Sequence, residues 1–364
     1  MPYFVPRRTY WPTTEWQVCE PRAVGFRSDP LVRIQAYIDE YLPGLHALLV
    51  VRHGKLAFER YYQGFHQGSL HSISSATKSF IGALIGVALA QGKIESLDQH
   101  MLDFFPEIAA QEHDPRKQVI TLRHLLSLQT GFSEEYPHEF WREILRSALQ
   151  RPMAEPPGQR FFYDNLSVDI LAGVIERVTG MHVAEFADQT LFQTLGIWRD
   201  EDTRFAWKQE GMGPHTWHGD ALWDEKDGYP WKVNGQGNST GSFGAHFTAR
   251  EMAKLGFLYL NGGQWDGAQI IPEEYVEEST REQSSGGPPV NARYGYLWWI
   301  EQVHNLHAFF ASGYGGKYIY VVPALDLVVV TAASVEQARK DNEQHNRIRA
   351  MIPDFIVPAL SGEG

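Results

Sequence analysis

One cysteine, Cys19, stands in a chain of 364 residues, so no internal disulfide can form and a reducing compartment fits. CxxC is impossible and HExxH is absent, which leaves a zinc hydrolase without local support; no metal and no cofactor are expected. No apolar run approaches the roughly 18 residues of a membrane span. The opening Met1-Pro2-Tyr3-Phe4-Val5-Pro6-Arg7-Arg8 has no apolar core followed by a small-residue cleavage site. A secretory signal is therefore not visible, and a cytoplasmic location is the expectation. Basic charge is also scarce, with 32 Lys and Arg against 44 Asp and Glu for a formal net charge of −12. No basic cluster outlines a nucleic-acid footprint, so phosphate-backbone binding is not expected. Repeats and low-complexity tracts are missing, while 43% of residues are hydrophobic, which is enough to build a core and excludes disorder.

Two strand clusters lie far apart along the chain. Near the start, His46 to Val51 and Lys55 to Tyr62 flank His53-Gly54 and predict a hairpin. Near the end, Tyr294 to Ile300, His307 to Ala311, Lys317 to Val322 and Leu327 to Ala332 are short, apolar and separated by Gly or by Pro323-Ala324-Leu325-Asp326. Residues 120–260 read as mainly helical. Ile170 to Val178 carries a periodic apolar face and stops at Gly180, and Thr248 to Leu260 begins with a threonine cap and stops at Asn261-Gly262-Gly263. The expectation is an α+β fold, one antiparallel sheet made from both chain ends and flanked by helices, with a mostly helical region inserted. Helices near 30–42 and 343–360 would cover the sheet's outer face. As domains this gives an N-terminal extension at 1–29, a sheet domain from 30–90 with 290–364, and a helical domain at 91–289.

Three short segments carry chemistry. Ser75-Ala76-Thr77-Lys78 opens a segment running to Ala90 that is apolar on nearly every face, the pattern of a helix buried at a protein's centre. Ser72 or Ser74 is placed to cap it. A serine and a lysine three apart share a helix face, and the helix start offers the Ser75 N–H to an oxyanion. Apolar surroundings and the positive helix end push a lysine towards the neutral base that a serine nucleophile needs. The spacing alone is common; what singles out Lys78 is an amine on an otherwise apolar helix.

The second segment is Pro157 to Asn165, where Tyr163 and Asn165 sit in a turn ahead of a helix. A tyrosine beside a lysine cation loses or passes its proton more easily, and an asparagine amide can hold both a lysine and a substrate carbonyl. Alone, this segment reads first as a cap with an aromatic packing neighbour and only second as a catalytic turn. The third is Ser312-Gly313-Tyr314-Gly315-Gly316 leading into Lys317 to Val322. Its glycines permit close backbone approach, and the Tyr314 N–H could complete an oxyanion hole with that of Ser75. Locally it reads first as a plain glycine-rich hairpin turn.

Together the three segments resemble the serine β-lactamase and penicillin-binding-protein superfamily, nearest its class C-like branch of esterases and 6-aminohexanoate-oligomer hydrolases. Ser75-x-x-Lys78 resembles the nucleophile box, Tyr163-x-Asn165 the Tyr-x-Asn box, and Ser312 to Gly316 the strand-borne third box. Val51 to Lys55 with Glu59-Arg60-Tyr61 is similar to the opening hairpin, Ile120 to Gly131 to the TxxHLLxxxSG segment, and Ala249 to Gly256 to the ARDMARFG helix. The resemblance implies an acyl-enzyme mechanism. Ser75 attacks a carbonyl, Lys78 and Tyr163 move its proton, Asn165 orients lysine and substrate, and the N–H groups of Ser75 and Tyr314 bind the oxyanion. Ser312, Gly313, Gly315 and Gly316 would line the substrate site. One departure matters. The third box of lactamases and peptidases begins with Lys or His, which binds the substrate carboxylate, whereas Ala311 stands there in this chain.

The expectation is therefore a serine hydrolase of small esters or amides. A β-lactamase or D,D-peptidase is the nearest alternative, and a catalytically silent binding or sensor module on the same fold is another. Gly237-Asn238-Ser239-Thr240-Gly241 matches the G-x-S-x-G elbow but lacks the strand before and helix after that the elbow needs. Residues 205–235, with Trp207, Trp217, Trp223, Tyr229 and Trp231, read either as an aromatic wall over the cleft or as a loop pinned by its tryptophans; Tyr136 and Trp141 stand in a similar position.

Overall fold

The computed structural model describes residues 8–135, 143–197, 231 and 240–360. The N-terminal helix α1 (Ser28–Tyr41) precedes the hairpin β1 (Leu45–Arg52) and β2 (Lys55–Tyr61). Its turn places His53 at φ 52° and Gly54 at φ 74°, the left-handed pair that a two-residue hairpin requires. The central helix α2 (Thr77–Ala90) follows, then α3 (Asn165–Thr179) and α4 (Ala249–Leu260). The C-terminal part supplies β3 (Ser284–Gly287), β4 (Ala292–Tyr294), β5 (Trp299–Val303), β6 (Leu306–Gly313), β7 (Lys317–Val322), β8 (Leu327–Ala333) and α5 (Gln344–Met351).

These strands form one eight-stranded sheet in the order β2-β1-β8-β7-β6-β5-β4-β3, with the first hairpin zipped onto β8. The sheet is thus built from both chain ends, as expected. Two strand boundaries differ from the sequence reading. Tyr294 to Ile300 is not one strand, because Gly295 to Trp298 breaks it into β4 and β5; a Cβ at Gly295 would collide with the Ser279 carbonyl, so the chain turns against a neighbour there. The sheet also takes in β3, whose Ser-Ser-Gly-Gly sequence carries no apolar alternation.

Helices cover both faces. On one, Ile34 and Ile38 of α1 are buried and Tyr37 packs on Phe355, with ring centroids 5.0 Å apart. On the other, α4 lies across β7 and β8. Its predicted threonine cap is present as a capping box, Thr248 Oγ1 accepting from the Glu251 N–H at 3.2 Å. Likewise α3 ends where expected, with Gly180 left-handed at φ 70°. Helix α4 approaches the sheet through Gly256, where a Cβ would lie 2.7 Å from Val328 Cγ1 and 2.8 Å from Ile319 Cγ2. Overpacking such a contact forces strain on both layers. Gly256→Val is expected to destabilise the protein by about 1–3 kcal/mol, read as a lower denaturant midpoint; an unchanged midpoint contradicts this packing.

Candidate active site

Helix α2 is buried from Thr77 to Ala88, so its polar residues must find partners inside the protein. Tyr275 reaches in from outside the helix, its hydroxyl donating to Gly82 O at 2.7 Å. Across residues 71–88 only Ser75 is partly exposed, so this segment meets the surface at that residue.

Ser75 lies in a single 3₁₀ turn, Ser74–Ala76, which runs directly into α2. Residues three apart eclipse in that geometry, and Lys78 Nζ lies 3.3 Å from Ser75 Oγ. Neither Ser72 nor Ser74 caps the helix by its side chain, contrary to expectation. Ser74 instead takes a left-handed backbone at φ 50°, and its carbonyl accepts from Thr77 Oγ1 at 2.7 Å. Strained backbone of this kind concentrates at functional sites.

Lys78 is 2% exposed. Its Nζ donates to Asn165 Oδ1 at 2.7 Å and to Ser242 O at 2.8 Å. Burial pushes its amine down to about 7, partly offset by the charges of Asp169 and Asp164. A neutral amine has two N–H donors and one lone pair. With both donors engaged by Asn165 and Ser242, the remaining direction is towards Ser75 Oγ. The arrangement can therefore accept the Ser75 proton.

Tyr163 places its ring over the same amine, 4.9 Å from Nζ to ring centroid, and stacks on Trp299 at 5.6 Å. The expectation that a neighbouring cation eases loss of its proton is not met. Burial raises the phenol to about 12, with only a hydrogen bond with Ser75 opposing it. Of the two groups, the Lys78 amine, lowered to about 7, gives up its proton far more readily than the phenol.

The sequence reading missed what holds this cluster in place. Asp164, between the two named residues, is the N-cap of α3 and accepts from the Leu166 and Ser167 N–H groups at 3.0 and 3.1 Å. It also pairs with fully buried Arg151. One turn on, Asp169 accepts from the N–H groups of Gly241 and Ser242 at 2.8 and 3.2 Å, fixing the loop whose carbonyl receives Lys78. The Asn165-to-Asp169 spacing, four residues on one helix face, was a usable signal. Nothing in the sequence pointed to Arg151 or Ser242.

The third box closes the site from the sheet. Strand β5 pairs with β6 only as far as Phe310, so Ala311 to Gly313 extend past it, and Gly313 lies against the Ile73 carbonyl where no Cβ would fit. Tyr314, Gly315 and Gly316 form the turn into β7, the two glycines at φ 96° and 103°. The Tyr314 carbonyl accepts from Ser74 Oγ at 3.5 Å, which sets residue 314 beside the Ser74–Ala76 turn. Ser312 is less directly placed than the resemblance implies, since its hydroxyl lies 3.4 Å from His345 Nε2 beneath α5.

Of the competing motif, Ser239 lies outside the described residues. No helix directly follows Gly241, as α4 begins only at Ala249, and Gly241 serves instead as the close approach to α3, where a Cβ would strike the Val168 carbonyl. Of the aromatic segment only Trp231 is described. It is fully buried, its Nε1 donating to Thr240 O at 2.8 Å, so at this position the tryptophan pins the chain and does not form a cleft wall. Tyr136, Trp141 and the other aromatic residues named there lie outside the described residues.

A nucleophile box on a buried helix, a Tyr-x-Asn turn and a glycine-rich strand end converging at one point define a serine β-lactamase-type fold. The β-lactamase family model matches residues 34–351, and the chain belongs to that family. It is similar to a 6-aminohexanoate-dimer hydrolase of Paenarthrobacter ureafaciens, 24% identical over 344 residues that cover 84% of this chain and 79% of the relative. Among solved structures it resembles EstCE1, a hydrolase with promiscuous acyltransferase activity, at a TM-score of 0.67 and 17% identity over 92% of this chain and 99% of that one. It also resembles the octameric penicillin-binding protein homologue of Pyrococcus abyssi, with a TM-score of 0.66 and 19% identity over 91% and 77% of the two chains.

Removing one partner of a buried ion pair leaves the other charge uncompensated. Asp164→Ala is expected to lower stability by about 3–5 kcal/mol, through the stranded Arg151 and the lost helix cap. A chemical-denaturation midpoint equal to that of the parent protein contradicts this.

Proposed function

We propose that the protein is a serine hydrolase of small, neutral esters or amides, working through an acyl-enzyme on Ser75. The observation that carries this reading is a buried amine with both of its donors engaged and its third direction facing a serine hydroxyl. Neutral Lys78 takes the Ser75 proton as the oxygen attacks the carbonyl carbon, and the carbonyl π electrons move onto oxygen. The N–H groups of Ser75 and Tyr314 bind that oxyanion. Collapse expels the alcohol or amine, which receives a proton passed from the lysine through the Tyr163 hydroxyl. Water then attacks the acyl-serine with the same groups in reverse, or a second alcohol or amine does so. Asn165 holds the lysine and the substrate carbonyl, while the backbone at Ser312, Gly313, Gly315 and Gly316 bounds the acyl site, the Ser312 hydroxyl being turned to His345. A silent binding module would have no use for a lysine whose amine burial brings down to about 7.

The absence of a cation at Ala311 favours neutral substrates over β-lactams and D-alanyl peptides. The hairpin's own lysine, Lys317, does not replace it, being fully buried across from Gly313 and so presenting no ammonium to a ligand in the cleft.

Ser75→Ala is expected to abolish hydrolysis of a short-chain p-nitrophenyl ester, a loss of about 10³-fold or more, with the circular dichroism spectrum unchanged. A fluorophosphonate should label the peptide containing Ser75. Full activity in the variant, or a label elsewhere, overturns the assignment. Because Lys78 must be neutral to act, kcat/KM should rise with pH along an acid limb near its value of about 7; a flat profile from about pH 5 to 9 contradicts the lysine's role. Nitrocefin turnover should be feeble, and a rate matching dedicated lactamases would show that the missing cation at Ala311 does not restrict the substrate.

A further inference from the structure

The proposed base is held by a carbonyl, and that carbonyl is held by a carboxylate. Asp169 is 5% exposed on the inner face of α3. Its Oδ1 accepts from Gly241 N at 2.8 Å and Ser242 N at 3.2 Å, and the Ser242 hydroxyl stands 3.3 Å from each carboxylate oxygen. Two successive N–H groups turned onto one carboxylate fix the direction of the peptide that follows. Ser242 O, which accepts from Lys78 Nζ at 2.8 Å, belongs to the same residue. The chain can run this close because residue 241 is a glycine: a Cβ there would collide with the Val168 carbonyl oxygen of α3. The Ala245 carbonyl further ties the segment to the nucleophile's approach, accepting from Ile73 N at 3.0 Å.

We propose that Asp169 is a positioning residue for the base: it clamps the Gly241–Ser242 peptides so that the Ser242 carbonyl orients Lys78 beside Ser75. The inference rests on the reading of Lys78 as the base. Every charge facing Lys78 among the described residues lies on or beside α3. Asp169 and Asp164 both favour the ammonium, but Asp164 is already paired with Arg151. Among the described residues Asp169 has backbone donors and a hydroxyl around it and no arginine, so its charge acts on the lysine with less compensation. Burial works against both ionised forms, holding the carboxyl above and the amine below their ordinary ranges. Each is the other's counter-charge.

The test is the rate at which a fluorophosphonate labels Ser75, followed across pH. Asp169→Asn keeps an oxygen acceptor for the two N–H groups but removes the charge. With that charge gone the ammonium is less favoured, so the acid limb should move down by about one pH unit, with the plateau rate within about threefold of the parent. Asp169→Glu keeps the charge and displaces the oxygens by one methylene. Its limb should stay in place while the plateau falls about tenfold, because the clamp is misplaced. A purely structural Asp169 would lower the melting temperature in both variants and move neither limb nor plateau, which overturns the proposal. If Asp169→Asn does not fold, Asp169→Glu decides alone, and a parental plateau there is fatal to the clamp. Failure of the parent protein to label at Ser75 would instead sink the reading of the site itself.

Discussion

The structure turns on a primary amine kept out of water. Lys78 is buried within an apolar helix at the centre of the molecule, where an ammonium is disfavoured and a neutral amine is not. Three elements distant in sequence supply its surroundings. The 3₁₀ turn at Ser74–Ala76 brings the Ser75 hydroxyl, the start of α3 brings Asn165 and Tyr163, and the segment before α4 brings the Ser242 carbonyl. Ordering the lysine side chain alone costs about 1.5–2 kcal/mol of rotamer freedom. What the arrangement requires is that the three elements be fixed with respect to one another.

That fixing is done by buried charge and by glycine. Arg151 and Asp164 form an ion pair with no access to solvent, and Asp164 caps α3 at the same time, so the Tyr163–Asn165 turn is held from behind. Gly313 and Gly241 let two backbones come closer than any side chain would allow, one beside the chain entering the Ser74–Ala76 turn and one beside α3. The sheet provides the rigid wall, and the early end of the β5 pairing leaves the last residues of β6 to face the cleft.

Much of this was legible in the sequence. The hairpin turn at His53-Gly54, the threonine cap of α4 and the glycine stop of α3 follow from local chemistry, and each forms where that chemistry places it. Ser75, Lys78, Tyr163 and Asn165 stand together because each lies in a short pattern with a stated purpose. The parts that escaped are those whose partners are far away in the chain. Arg151 meets Asp164 across a loop, Asp169 meets Gly241 and Ser242 over about 70 residues, and no periodicity announces either. Tyr163 shows the other kind of miss. Proximity to a cation suggested an easier proton, but desolvation of the phenol is the larger effect. The β3 strand was invisible because its residues have no apolar alternation, and pairing alone makes it a strand.

The measurement that bears most directly on this account is the titration of the Lys78 amine itself. With lysines labelled at Cε with ¹³C, the resonance missing from a Lys78→Met variant identifies the residue. The account predicts that this resonance titrates near its value of about 7, more than two pH units below an exposed lysine. A midpoint above about pH 10, the ordinary lysine value, would mean that the amine is a solvated cation, and the basis for activating Ser75 would be gone.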